Sequence, residues 1–190
     1  TDVRWVAVGG SAQALPTVYT GKVQAATLTP SVIPFIKGED AKDVHILVEN
    51  TAAHTPPFPN FAFVAKESFL RENPEGAKRF ALAMMDMFRQ FKADPELYAE
   101  VVLRMIPGVY EKEDFLAVAE SLAANGFFAE NGGINIAATQ TLLDLFFQVR
   151  EQQPNDLLGK AEDIYDTSIV KLALEELGFM ENSLDQPDWR

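Results

Sequence analysis

The sequence predicts an α/β fold in which helices outnumber strands, and three observations carry that expectation. The first thirty residues read as strand, glycine turn, helix, glycine and short buried strand. Four apolar, β-rich segments fall before residue 66. At least five helix signals, each with its own start or stop residues, fall after it.

Val3-Arg4-Trp5-Val6-Ala7-Val8 is nearly continuously apolar, the pattern of a parallel strand covered on both faces, with Trp5 inside it. Gly9-Gly10-Ser11-Ala12 follows as a small-residue turn. Ser11 is placed to cap a helix whose apolar positions include Ala14, Leu15 and Val18, and Pro16 falls early in it, where a missing donor costs little. Ala25–Leu28 reads as a second strand, closed by Thr29-Pro30. A right-handed crossover between parallel strands leaves their carboxyl ends side by side, and ligands of open α/β sheets sit at that edge. Gly10, Ser11 and Thr29 are therefore expected close together there. Val32–Ile36 reads as a helical turn, Val44–Glu49 as a third strand and Phe61–Ala65 as a fourth. Residues 50–60 hold three prolines and read as irregular.

The rest reads as helical. Asn73-Pro74-Glu75 and Asp94-Pro95-Glu96 each combine a capping residue, a proline at the first helical position and an acid in the first turn. Ala77, Phe80, Ala81, Met84, Phe88 and Phe91 then recur at spacings of three and four, which makes one apolar face. Leu97, Val101, Val102 and Met105 continue to Pro107-Gly108. Phe115, Leu116, Ala119, Leu122 and Ala123 form a further face, stopped at Asn125-Gly126. Asn135 opens a helix carrying Ile136, Leu142, Leu143, Phe146 and Val149. Asp166 caps a last helix with Ile169, Val170, Ala173 and Leu177, stopped by Gly178. Residues 179–190, including Trp189, are expected to form a loosely ordered tail.

Composition excludes several function classes. The 190 residues are 47% hydrophobic and carry a net charge of -12. A surplus of acid opposes binding to nucleic acid or to an anionic membrane surface. With no cysteine, disulfides, thiolate catalysis and Cys-based metal sites are ruled out. No apolar run approaches the ~20 residues that span a bilayer. The chain opens on Thr1-Asp2 without a basic or apolar leader, so the sequence reads as processed or partial.

Gly9-Gly10-Ser11 suits a ligand because glycines let the backbone approach it and amides at a helix start attract anions; the same residues also make an ordinary turn with a serine cap. Thr29 offers a hydroxyl beside Pro30, against simple solvation of a strand end. Asn60 precedes the fourth strand, and Phe58 beside it reads as a core or hinge filler. His45 and His54 lack metal-ligand spacing, so no metal and no cofactor are expected. Glu113-Asp114 and Asp163 with Asp166 sit near helix starts and complement the dipole rather than form an acid–base pair. Met84-Met85-Met87 reads as core packing.

The order V-x-V-G-G-S-A, then G-K-V-Q-A-A-x-L-T-P, then F-V-A-K-E-S-F-L-x-E-N-P-E resembles the later part of a type II periplasmic substrate-binding protein of the nitrate, sulfonate and taurine, or thiamine-precursor (NMT1/THI5-like) kind. Gln24 stands where that family has an acid. The resemblance runs over residues 3–177 and rests on order and spacing. It implies a periplasmic-binding-protein type II-like fold of βαβ units followed by a helix-rich carboxyl half. Residues 1–65 would hold second-lobe and crossover strands, residues 66–178 the helices packing on both lobes, and 179–190 the tail. It implies a non-enzymatic, periplasmic or extracellular component of an ABC importer, with a small polar or anionic solute and the permease subunits as partners. Gly9, Gly10, Ser11, Ala12, Thr29, Pro30 and Asn60 would line its half of the cleft. With the first lobe absent, the faces around Leu142, Phe146 and Val170 would favour self-association. Two alternatives stay open: an enzyme on the same fold like the pyrimidine-precursor synthases, which the lack of cysteine disfavours, and the effector-binding domain of a transcription regulator.

Overall fold

In a computed structural model, residues 3–47, 62–150 and 159–189 are described. They contain seven α-helices and three 3-10 helices, and no strand. The expected α/β fold with βαβ units is therefore corrected to a helical one. The physical reason lies in what an apolar run signals. Val3–Val8 has the composition of a strand, but a strand exists only where a neighbour takes its backbone donors and acceptors. No backbone hydrogen bond joins residues 3–8 to any described residue. Trp5, expected inside, is 90% exposed. Ala25–Leu28 is likewise unpaired, and in the other two segments Leu47 and Val64 lie open to solvent.

The chain divides into two compact units, Thr1–Glu49 with Pro95–Leu122, and Asn50–Asp94 with Ala123–Arg190. In the first unit, α1 is Ser11–Tyr19 and a 3-10 helix runs Pro30–Phe35. Ala14 and Leu15 of α1 and Val32 of the 3-10 helix are buried. The Tyr19 hydroxyl donates to the carbonyl of Phe35 at 2.8 Å, pinning the far ends of the two helices together. Pro95–Met105 forms α4 and Lys112–Ala124 forms α5. Their core is Ala99, Phe115, Val118 and Ala119, flanked by Tyr98 and Tyr110. The rings of Tyr110 and Phe115 lie 4.7 Å apart, in the range where aromatic pairs attract beyond simple burial. Burial first, with the neighbouring Tyr110, pushes the Tyr98 phenol above its ordinary range.

In the second unit, Glu67–Glu72 is α2, Pro74–Ala93 is α3, Ile136–Arg150 is α6 and Ser168–Leu177 is α7. The long α3 packs on α7, burying Ala77, Met85 and Phe91 on one side and Ala173 on the other. Gly132, in the loop before α6, adopts φ +90°, and a Cβ there would lie 2.6 Å from Cγ1 of Val170. Only glycine lets the loop approach α7 so closely.

The segment expected to be a loose tail is tied into this unit. Asn131 is fully buried. Its side-chain amide donates to the carbonyl of Met180 at 3.0 Å and accepts from the Met180 amide at 3.0 Å, as a neighbouring strand would. The Asp185 carboxylate accepts from the amides of Asn131 at 2.8 Å and Gly133 at 3.0 Å. Arg89 on α3 donates to the carbonyls of Glu130 (3.0 Å), Leu177 (3.2 Å) and Gly178 (2.7 Å). Its fork thereby joins the loop to the end of α7. Lys92, one turn on, pairs with the buried carboxylate of Glu130.

Asp188 caps α6 from this tail, accepting from the amides of Ile136 at 2.8 Å and Ala137 at 2.6 Å. Burial opposes its charge most, but the amides of Ala137, Ile136 and its own backbone together outweigh that, and the carboxyl lies below its ordinary 3.8. A carboxyl depressed in the folded state contributes stability that is present above its unfolded pKa and is lost as pH falls through the folded one. Asp188→Asn is therefore expected to lower stability at pH 7 and to flatten the decline of stability below about pH 4. Urea melts between pH 2 and 7 check this. A parallel offset between variant and parent across that whole range would refute the coupling.

Candidate functional site

Two helix starts meet in the first unit. Gly10 is the N-cap of α1, and its carbonyl accepts from the amides of Gln13 at 3.0 Å and Ala14 at 2.9 Å. Thr29 is the N-cap of the Pro30–Phe35 helix, and its carbonyl accepts from the Val32 amide at 3.1 Å. The first amides of any helix have no partner within it. Here those of Ser11 and Ala12 in α1, and of Ser31 in the second helix, have no acceptor among the described residues.

A side chain joins the two starts. Ser11, expected to cap α1, is its first residue and makes no cap bond. Its Oγ accepts instead from the Thr29 amide at 3.0 Å, across 18 residues of chain. The Thr29 and Ser31 hydroxyls are 3.0 Å apart, and either can donate. Gly10, Ser11 and Thr29 are thus neighbours, as expected, though no sheet edge brings them together. The link is one side-chain hydrogen bond, helped by Tyr19 at the far ends of both helices.

Gly9 lies at φ +90°, and a Cβ there would approach that of Gln13 at 3.3 Å. A Cβ on Gly10 would lie 3.2 Å from Oε1 of the same side chain. Gln13 therefore folds back over the glycine turn, so its amide is part of the site. Sequence reading passed over Gln13, although its position, two residues beyond Ser11 on a helix that starts at a glycine pair, places it within reach of the turn. The cluster combines three open amides, two exchangeable hydroxyls and one carboxamide, without a titrating group. It can donate to an oxyanion or a polar oxygen.

Of the other candidates, Ala12 is exposed in the first turn of α1 and Pro30 opens the second helix. Asn60, Phe58 and His54 lie outside the described residues. His45 is exposed, and no group of three metal-ligating side chains occurs among the described residues. Asp114 pairs with Lys37 at 2.7 Å, which consumes half of the Glu113-Asp114 pair in an ordinary surface contact. Asp166 accepts from the hydroxyl and then the amide of Ser168, which lower its pKa against a smaller opposing effect of burial and start α7. Met85 is buried on α3 and Met84 and Met87 are half-buried, so this group serves packing. No described helix is long and apolar enough to cross a membrane. Comparison with family models, with curated proteins and with solved structures returns no match for this chain.

Proposed function

We propose that this chain is a solute-binding component of an ABC importer and that it holds a small polar or anionic organic solute at the Ser11–Thr29–Ser31 cluster. The observation that carries the reading is the convergence of two helix starts, with the Ser11 hydroxyl joining them and the amides of Ser11, Ala12 and Ser31 left open. Helix-start amides favour anions, and hydroxyl donors add direction. This argument is local and needs no sheet. The importer setting, the permease partners and the periplasmic or extracellular location come from the sequence resemblance alone. The amides and hydroxyls of the cluster suit capture of an oxygen-bearing solute.

The test is a titration of ¹⁵N-labelled protein with methanesulfonate and with its neutral counterpart dimethyl sulfone, followed by amide NMR. The Ser11, Ala12 and Ser31 amides should move together with the sulfonate and not with the sulfone. Affinity should be in the millimolar range, because a few hydrogen bonds at about 0.5–1.5 kcal/mol each in an open site offset little of the cost of association. Thr29→Val with Ser31→Ala should weaken it about tenfold, the loss of two such bonds. Equal response to both compounds, or none to the sulfonate, would reject anion capture at this site.

A further inference from the structure

The tail of the second unit lies along α7 and leaves a groove of about 410 Å³, lined by Lys171, Leu174, Glu175, Phe179, Pro187 and Trp189. That volume suits a molecule of about ten to fifteen heavy atoms, at the small end of the usual range for ligand sites. Its surface is mainly apolar: Leu174 from the helix, Phe179 after it, and Pro187 and Trp189 from the tail. The indole is held in place. Its Nε1 donates to the carbonyl of Ile134 at 3.1 Å, and Asp188 beside it is fixed on the first amides of α6. A flat aromatic wall is thus set before anything binds, which removes an ordering cost from association.

The charge at the groove is as specific as its shape. Lys171 Nζ lies 5.2 Å from the centre of the Trp189 ring, over its face. In a chain with a net charge of -12, this ammonium forms no ion pair with any described carboxylate. Glu175, one turn further along, is not within ion-pair distance of Lys171. Its charge acts on Lys78, the amine that Glu176 binds at 2.6 Å. The groove therefore presents an indole face and, at one end, a cation with no ion-pair partner among the described residues, and a carboxylate at the other.

We infer that the groove between α7 and the tail binds a small aromatic monocarboxylate, its ring against Trp189, Leu174 and Phe179 and its carboxylate on Lys171. The ring replaces water on the apolar wall. The carboxylate gives Lys171 a partner that no described residue provides, and a charge-assisted bond beside an apolar surface is stronger than one in open water. Glu175 at the far end disfavours a second negative charge, so a monoanion is preferred. This site uses none of the Ser11 cluster, so its fate is independent of the importer reading.

Benzoate is the probe, with benzyl alcohol and acetate as controls that keep only the ring or only the charge. The readout is the indole N–H signal in ¹⁵N NMR. There are two such signals, and Trp5→Phe identifies that of Trp189. Benzoate should shift the Trp189 signal saturably and leave Trp5 unmoved. Benzyl alcohol and acetate should each bind roughly tenfold more weakly, because each keeps one of the two contacts. Lys171→Gln should weaken benzoate by a similar factor, and Lys171→Glu should reverse the preference, favouring benzylammonium over benzoate. The Lys171 ammonium is exposed and makes no hydrogen bond to another described residue, so both variants should fold, and an amide NMR spectrum with the parent's dispersion checks that they do. An immobile Trp189 signal, an equal response to acetate and benzoate or to benzyl alcohol and benzoate, or unchanged benzoate binding in Lys171→Gln would each overturn the assignment.

Discussion

Phe128→Ala is expected to cost about 3–5 kcal/mol of stability, the range for removing a buried aromatic ring from a well-packed site. Phe128 is 2% exposed, between the end of α5 and the loop before α6. Its ring lies 5.9 Å from that of Phe91, 6.2 Å from that of Phe88 and 5.6 Å from that of Phe127, edge to face with the last. Phe88 and Phe91 stand one turn apart on α3, so the ring fills the space their helical spacing creates. Alanine would leave a cavity that two helical side chains cannot close without moving α3. With a urea dependence of about 2 kcal/mol per molar, the midpoint should fall by about 2 M. Phe127→Ala serves as the control. That ring is 46% exposed, and its loss should cost about 1 kcal/mol or less. Equal losses for the two variants would mean that Phe128 is not the packing centre of its unit.

Asn131→Leu should be the most damaging polar substitution, at about 2–4 kcal/mol. Leucine matches asparagine in shape, so no cavity forms and packing alone predicts little change. The cost comes from Met180, whose amide loses the acceptor that the buried Asn131 side chain supplies. Each lost bond is worth about 0.5–1.5 kcal/mol net, and those to the carbonyls of Asp185 (3.4 Å) and Met180 are lost as well. Gln186 reaches the Met180 carbonyl at 3.3 Å and softens that loss but not the others. Asp185→Asn weakens the same clasp from the other side. The two substitutions together should therefore cost less than the sum of their separate effects, because they share one unit of structure. Urea denaturation of the three variants and the parent provides the cycle. A stable Asn131→Leu protein would show that the tail is dispensable.

What the sequence made legible was local. Pro74 and Pro95 open α3 and α4 where a proline with a capping residue before it and an acid behind it must. Gly178 ends α7 at φ +80°, a conformation that glycine adopts without strain. These signals act within one turn of chain and need no partner. Val3–Val8 and Ala25–Leu28 carry signals of a different kind. An apolar, β-branched run reports that a segment would suit a sheet, not that another segment stands beside it, and here none of the described residues does. The meeting of Ser11 with Thr29 was anticipated on an argument from parallel strands; the hydrogen bond that makes it spans 18 residues and is not written in either local pattern. The tail failed for the opposite reason. Ser183-Leu184-Asp185-Gln186-Pro187-Asp188 has the composition of a loop, and it is a loop, but its carboxylates and carbonyls match open amides near residues 131–137. Such complementarity between two irregular segments has no period to detect.

The order in which the chain leaves the ribosome gives the clasp a temporal meaning. The two units alternate along the sequence, and the chain passes between them after residues 49, 94 and 122. Synthesis at roughly 5–20 residues per second delivers Arg89 and Asn131 seconds before Gly178, Met180 and Asp185 exist. Until then the guanidinium of Arg89 has one of its three carbonyls, the amide of Asn131 has no acceptor, and the start of α6 has no Asp188. The first unit has its last residue at 122 and can close while the second is still being made. The second can close only once residues 178–188 have been made, so a nascent chain stalled between residues 150 and 175 should carry one protease-resistant unit and one that is cut within seconds.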